Sequence, residues 1–253
     1  MSLMGQSKTV RTAALVFCIT VAAATRGGNC QVQEWNDFQT WADIRTVYNF
    51  TDAFAYDGDQ GTRGILSAED WNLLYFRPSV KYKSTKHLSL RGGVGLFFLF
   101  QEINSTELRP WQGAQVFWPV LNELRFDQYV RLEQRFVDLR STGAGARTGA
   151  RTGYQFALRL RYRVRARSRP QPLLGIPTPT FGMIAYEFFF NLESIIPDSE
   201  FKMDRFYAGV GNDVSSKWTV QLHYIYIRLR GDDRVGINAT DHVLRMRLAY
   251  IIH

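Results

Sequence analysis

The sequence predicts an all-β fold, an antiparallel up-and-down transmembrane β-barrel of about ten strands with a polar, Arg/Glu-filled lumen, and three observations predict it. The first is the run YQFALRLRYRVRAR, where Tyr154, Phe156, Leu158, Leu160, Tyr162 and Val164 alternate strictly with Gln155, Ala157, Arg159, Arg161, Arg163 and Arg165. A period of two belongs to a strand, because successive side chains of an extended chain point to opposite sides. A soluble sandwich would bury the apolar face, whereas a membrane barrel turns it to lipid and keeps the charges inside. The second is the N-terminus, where Lys8 and Arg11 precede the apolar run Ala13 to Ala24. That order of charge, apolar stretch and small residues is a secretory signal peptide, expected to be residues 1–24. The third is the spacing of connections. With a periplasmic mature N-terminus, those at Ser84, Pro119 and Ser215 are short and share one side, while those at Asp57, Asn104, Ser141, Glu193 and Gly231 share the other and are mostly longer. Outer-membrane barrels show that asymmetry.

Composition agrees. The 253 residues are 45% hydrophobic and 14% aromatic with a mean hydropathy of -0.21, which suits one large β domain and excludes a helical membrane protein. Cys18 leaves with the signal, and Cys30 alone cannot form an internal disulfide. A formal charge of +8 often points to nucleic acid. Here the arginines alternate with apolar residues behind a secretory signal, so the expected partners are lipopolysaccharide and other outer-membrane lipids, the barrel assembly machinery and small anionic solutes, with no nucleic acid. No metal cluster, phosphate loop or dinucleotide fingerprint is present in the sequence, and no cofactor is expected.

Each element follows from parity. Residues 25–41 read as a periplasmic lead-in and 42–253 as the barrel. Ile44, Tyr48, Phe50, Phe54 and Tyr56 make one outward face, and Asp57 to Gly61 reads as the turn after it. Leu74, Phe76, Val80 and Tyr82 follow, opposite Arg77 and Lys81, with a bulge expected at Pro78. Leu90, Val94, Leu96 and Phe98 back onto Arg91 and several glycines. Leu108 to Trp118 is the least regular strand. Leu124, Phe126, Val130, Leu132 and Phe136 oppose Arg125, Asp127, Arg131, Glu133 and Arg135. Ser141 to Gly153, with its duplicated Gly-Ala-Arg-Thr, reads as a flexible loop, and Ser168 to Thr180, with four prolines, as an extended segment. Tyr186, Phe188 and Phe190 then oppose Glu187, Phe206 and Val210 oppose Arg205 and Asp213, Trp218 to Tyr226 forms the penultimate strand, and Leu244 to Ile252 closes the chain opposite Arg245 and Arg247. Tyr82, Trp118, Trp218 and Tyr250 fall at the periplasmic strand ends, where an aromatic girdle belongs.

Arg131-Leu132-Glu133-Gln134-Arg135-Phe136, Leu160-Arg161-Tyr162-Arg163, Tyr186-Glu187, Asn191 and Asp204-Arg205 resemble the family catalogued as domain of unknown function 2490. Tyr56-Asp57-Gly58-Asp59, Arg77-Pro78 and Arg91-Gly92-Gly93 are similar to its Gram-negative members, and the resemblance covers most of the mature chain. It implies an outer-membrane barrel of unassigned activity.

The expected lumen network is Arg77, Arg91, Arg131, Glu133 and Arg135, then Arg159, Arg161, Arg163 and Glu187, then Arg205, Asp213, Arg245 and Arg247. In so narrow a barrel these groups serve either as an ion-paired core or as a narrow anion-selective path. Two other roles compete. One is a lipid-modifying enzyme of deacylase or phospholipase type, for which His87-Leu88-Ser89 has a suggestive spacing but sits at a periplasmic turn; the other is an adhesin acting through external loops.

Overall fold

Alternating side chains decide every stave of the wall. The computed structural model describes residues 33–65, 68–100, 103–118, 123–141, 153–173, 175–194, 202–230 and 237–252, and all its regular structure is β. The strands are β1 (Gln33–Asn49), β2 (Phe54–Ile65), β3 (Ala68–Arg77), β4 (Ser79–Lys83), β5 (Leu88–Phe100), β6 (Ile103–Phe117), β7 (Leu124–Ser141), β8 (Gly153–Ser168), β9 (Gln171–Leu173), β10 (Ile176–Ser194), β11 (Lys202–Asp213), β12 (Trp218–Arg230) and β13 (Ile237–Ile252). β3 and β4 form one stave broken at Pro78, since both pair with β2 and with β5. Proline cannot donate to the ladder, which is why the break falls there. β9 pairs only with β10, inside the proline-rich segment, so eleven staves complete the circle.

Neighbouring staves run antiparallel except at the seam, where β1 and β13 pair in parallel from Gln33↔Ile237 to Tyr48↔Ile252. The expected ten strands become eleven because the first one is two. A hairpin turns at Phe50 to Ala53, with the Phe50 and Thr51 amides donating to Phe54 O and the Thr51 hydroxyl accepting from the Ala53 and Phe54 amides. The turn keeps Tyr48, Phe50, Phe54 and Tyr56 in one parity, so it leaves no phase break to read. Asp57 to Gly61, rich in turn-forming residues, lies within β2. The wall also begins at Gln33 and not near Ala42, so residues 33–41 are barrel and not lead-in. The expected loop at Asn104 is likewise strand, within β6.

An odd number of staves puts the start of β1 and the end of β13 at opposite ends. The Phe50 to Ala53, Ser84 to His87 and Val214 to Lys217 turns share one end, and β2, β5, β7, β10 and β12 run from it toward the other. The signal peptide, most of the 141–153 loop and the connections near Pro119, Glu193 and Gly231 lie outside the described residues.

Inside, one part of the circumference is apolar: Trp41, Ala185, Tyr207, Ile225, Ile227 and Val243 pack together, with Ile225 and Val243 fully buried. Gly211 faces the Phe181 ring so closely that an added Cβ would stand 2.2 Å from it, so this inward position requires glycine.

Candidate functional site

The remaining interior is a lattice of guanidiniums and carboxylates. β7 and β8 place Arg131 directly opposite Arg161, and Glu133 opposite Arg159. Two like charges facing across a ladder repel, so the arrangement holds only where carboxylates are shared between them. Glu133, fully buried, accepts from Arg131 at 2.5 Å, Arg159 at 2.5 Å and Arg161 at 2.9 Å, with Arg109 at 3.9 Å. Arg161 also reaches Glu187 on β10 at 2.7 Å, and the Tyr207 hydroxyl donates to the same carboxylate at 2.7 Å. Arg161 thus ties two strands' acids together, which a forked, always-charged donor does well.

Five further carboxylates extend the lattice. Glu107 accepts from Arg109 and Arg135, each at 2.7 Å. Asp57 holds Arg45 at 2.7 Å and Arg91 at 2.8 Å. Asp43 on β1 pairs with Arg245 and Arg247, and Arg247 continues to Asp59, which also pairs with Arg77. Asp127 accepts from Arg165 at 2.7 Å and Gln115 at 2.8 Å. The Asp43 pairs reach across the parallel seam, so ion pairs as well as backbone bonds fasten it.

Of the sequence-predicted lumen residues, Arg77, Arg91, Arg131, Glu133, Arg135, Arg159, Arg161, Glu187, Arg245 and Arg247 take part in these pairs. Asp213 stands apart, accepting from the Thr219 hydroxyl at 2.7 Å. Arg163 and Arg205 make no ion pair among the described residues; Arg163 lies over the Tyr129 ring, and Arg205 over Phe189 and Trp41. Sequence reasoning missed Asp43, Arg45, Asp57, Asp59, Glu107, Arg109, Asp127 and Arg165 as lattice members, and Arg63 beside them. For those in β1 and β2, inward parity was the available signal, masked by the misplaced first turn.

Tyr82, Trp118, Trp218 and Tyr250 stand on the outer surface at the end that carries the Ser84 to His87 turn, Tyr82 stacked on Phe54 and Trp218 on Tyr250. His87 and Ser89 form no dyad: a His87 ring nitrogen sits 3.1 Å from Phe117 O, while Ser89 is buried with its hydroxyl unbonded. His242 contacts the Tyr224 hydroxyl at 2.6 Å on the outer face.

Between the charged walls lies a cavity of about 170 Å³, lined by eleven arginines and by Asp57 and Asp59. It reaches Trp41 and Tyr207, where the apolar cluster begins.

These features define a closed all-β barrel with a buried Arg/Glu salt-bridge network across its interior. The chain belongs to the family described as protein of unknown function (DUF2490), whose pattern matches residues 38–238, from β1 into β13. Most lattice residues fall within that span, and Arg245 and Arg247 lie just beyond it. No curated protein and no solved structure matches the chain.

Proposed function

We propose that the protein is an integral outer-membrane barrel whose ion lattice closes the lumen, making it a compact structural barrel and not a general porin. The observation that carries this reading is the inverted distribution of side chains. Large apolar residues stand exposed on the outer face of stave after stave, as at Ile184 (55%), Met246 (58%), Leu74 (48%) and Phe98 (40%), while Glu133 and Glu187 are buried inside. Water does not stabilise that arrangement, and a hydrocarbon surround does. The outward pair Arg228–Asp204, near the ends of β12 and β11, suits the polar edge of a bilayer. Bacterial single-chain barrels generally have even strand numbers, so eleven staves lend this reading no support; the wall's surface does.

Membrane fractionation after alkaline extraction, with heat-modifiable migration in detergent gels, tests the location. Recovery as a soluble periplasmic protein would overturn it. Planar-bilayer recording tests the closed lumen, and electrical silence is expected. The arginine-lined cavity favours one second reading, a narrow anion-selective path. Steady anion-selective conductance would establish that path in place of the closed barrel.

A further inference from the structure

The lattice is not neutral where it meets the cavity. Most of its arginines share a carboxylate, but Arg63, Arg163 and Arg205 line the same cavity and form no ion pair among the described residues. Their Nε atoms are buried without a hydrogen-bond partner. Aromatic rings hold them in place instead: Arg63 lies 3.9 Å above Trp41, Arg205 is 4.7 Å from the Phe189 ring centre, and Arg163 is 5.5 Å from that of Tyr129. A ring face offsets part of the cost of burying a cation but does not occupy the donors at the guanidinium edge, where Arg205 makes one weak contact, to the Met203 sulfur at 3.6 Å. Three such groups reach the cavity from β2, β8 and β11, two of them, Arg63 and Arg205, beside the same Trp41 ring.

We propose that this cavity is a binding site for a compact oxyanion of phosphate type, held by Arg63, Arg163 and Arg205. Guanidinium edges match phosphate oxygens in pairs, and donors arriving from three staves suit a tetrahedral anion better than a planar carboxylate. The volume admits a group of that size with some water. A lipid headgroup is tethered to chains outside the closed wall, so the ligand is a free anion. The site needs only the folded barrel and does not depend on where the barrel resides.

The test uses the full mature protein, folded in zwitterionic detergent without phosphate and titrated calorimetrically with inorganic phosphate, succinate and chloride at matched ionic strength. Phosphate is expected to bind saturably and more tightly than succinate, with no saturable binding of chloride. Arg63→Gln and Arg205→Gln should each weaken phosphate binding at least tenfold. A second readout separates a ligand site from a packing role. With no anion present, removing an uncompensated charge should leave the melting temperature unchanged or raise it, whereas an arginine kept for structure would lower it. The proposal is overturned if phosphate does not saturate, if succinate binds more tightly, if the two variants bind phosphate like the parent, or if both melt well below it without anion.

Discussion

The two sides of the lumen solve one packing problem by different physics. Along β2 to β8 the inward positions are filled by ion pairs around Asp57, Asp59, Glu107, Asp127 and Glu133. Along β10 to β13 and onto β1 the apolar cluster of Ala185, Tyr207, Ile225, Ile227, Val243 and Trp41 takes inward positions too, beside Glu187 and the Asp43 pairs with Arg245 and Arg247. Apolar burial is non-directional and tolerates modest change, whereas a buried ion pair is costly to break from one side. Tyr207 joins the two regions, its ring in the apolar cluster and its hydroxyl on Glu187. The charged side should therefore be the brittle one.

Glu133→Gln should produce the largest loss. Three arginines within 2.9 Å would lose the fully buried anion they share, at a cost of about 3–5 kcal/mol. A thermal or denaturant melt in detergent measures it. A change below about 1 kcal/mol would mean that the lattice is solvated and the charged side is an open passage. Ile225→Ala, on the apolar side, should cost about 3 kcal/mol through lost burial and the cavity left behind. Salt sharpens the contrast: the Ile225→Ala loss should be the same at low and high ionic strength, because no charge is involved.

How much of this was legible in the sequence follows from what alternation can encode. Parity reveals which face of a strand a residue occupies, so Arg131, Glu133, Arg159, Arg161 and Glu187 could be gathered without coordinates. It says nothing about register, and register alone makes Arg161 the bridge between Glu133 and Glu187 while Arg163, opposite Glu187 across the β8–β10 ladder, goes without. Parity also fails where a turn preserves phase. The Phe50 to Ala53 hairpin did so, hiding a stave, the parallel seam and the acids Asp57 and Asp59. The apolar side of the lumen escaped notice because Ile225, Ile227 and Val243 sit on strands whose outward faces are equally apolar, leaving no polar contrast to read.

Tyr207→Phe tests the junction between the regions. It keeps the ring and removes one donor from a buried carboxylate that Arg161 still holds, so a loss of about 2 kcal/mol is expected, smaller than at Glu133. A loss as large as that of Glu133→Gln would show that the two regions act as one cooperative unit, and the same melts decide it.

The smallest effect belongs to a pair that matches the lattice in chemistry and differs in surroundings. Glu123 and Arg169 meet at 3.7 Å beyond the ends of β7 and β8, with side chains 66% and 49% exposed. Water solvates both charges there, so their attraction is weak, easily screened by salt and opposed by the entropy of ordering two long side chains. Glu123→Gln should change stability by less than about 0.5 kcal/mol. Carboxylate, guanidinium and substitution are the same as at Glu133, so the difference between the two melts measures what burial and three shared arginines add to one exposed pair. Matching melting temperatures would mean that neither exclusion of water nor the shared arginines strengthens the lattice, and the contrast between the two sides of the lumen would then lose its physical basis.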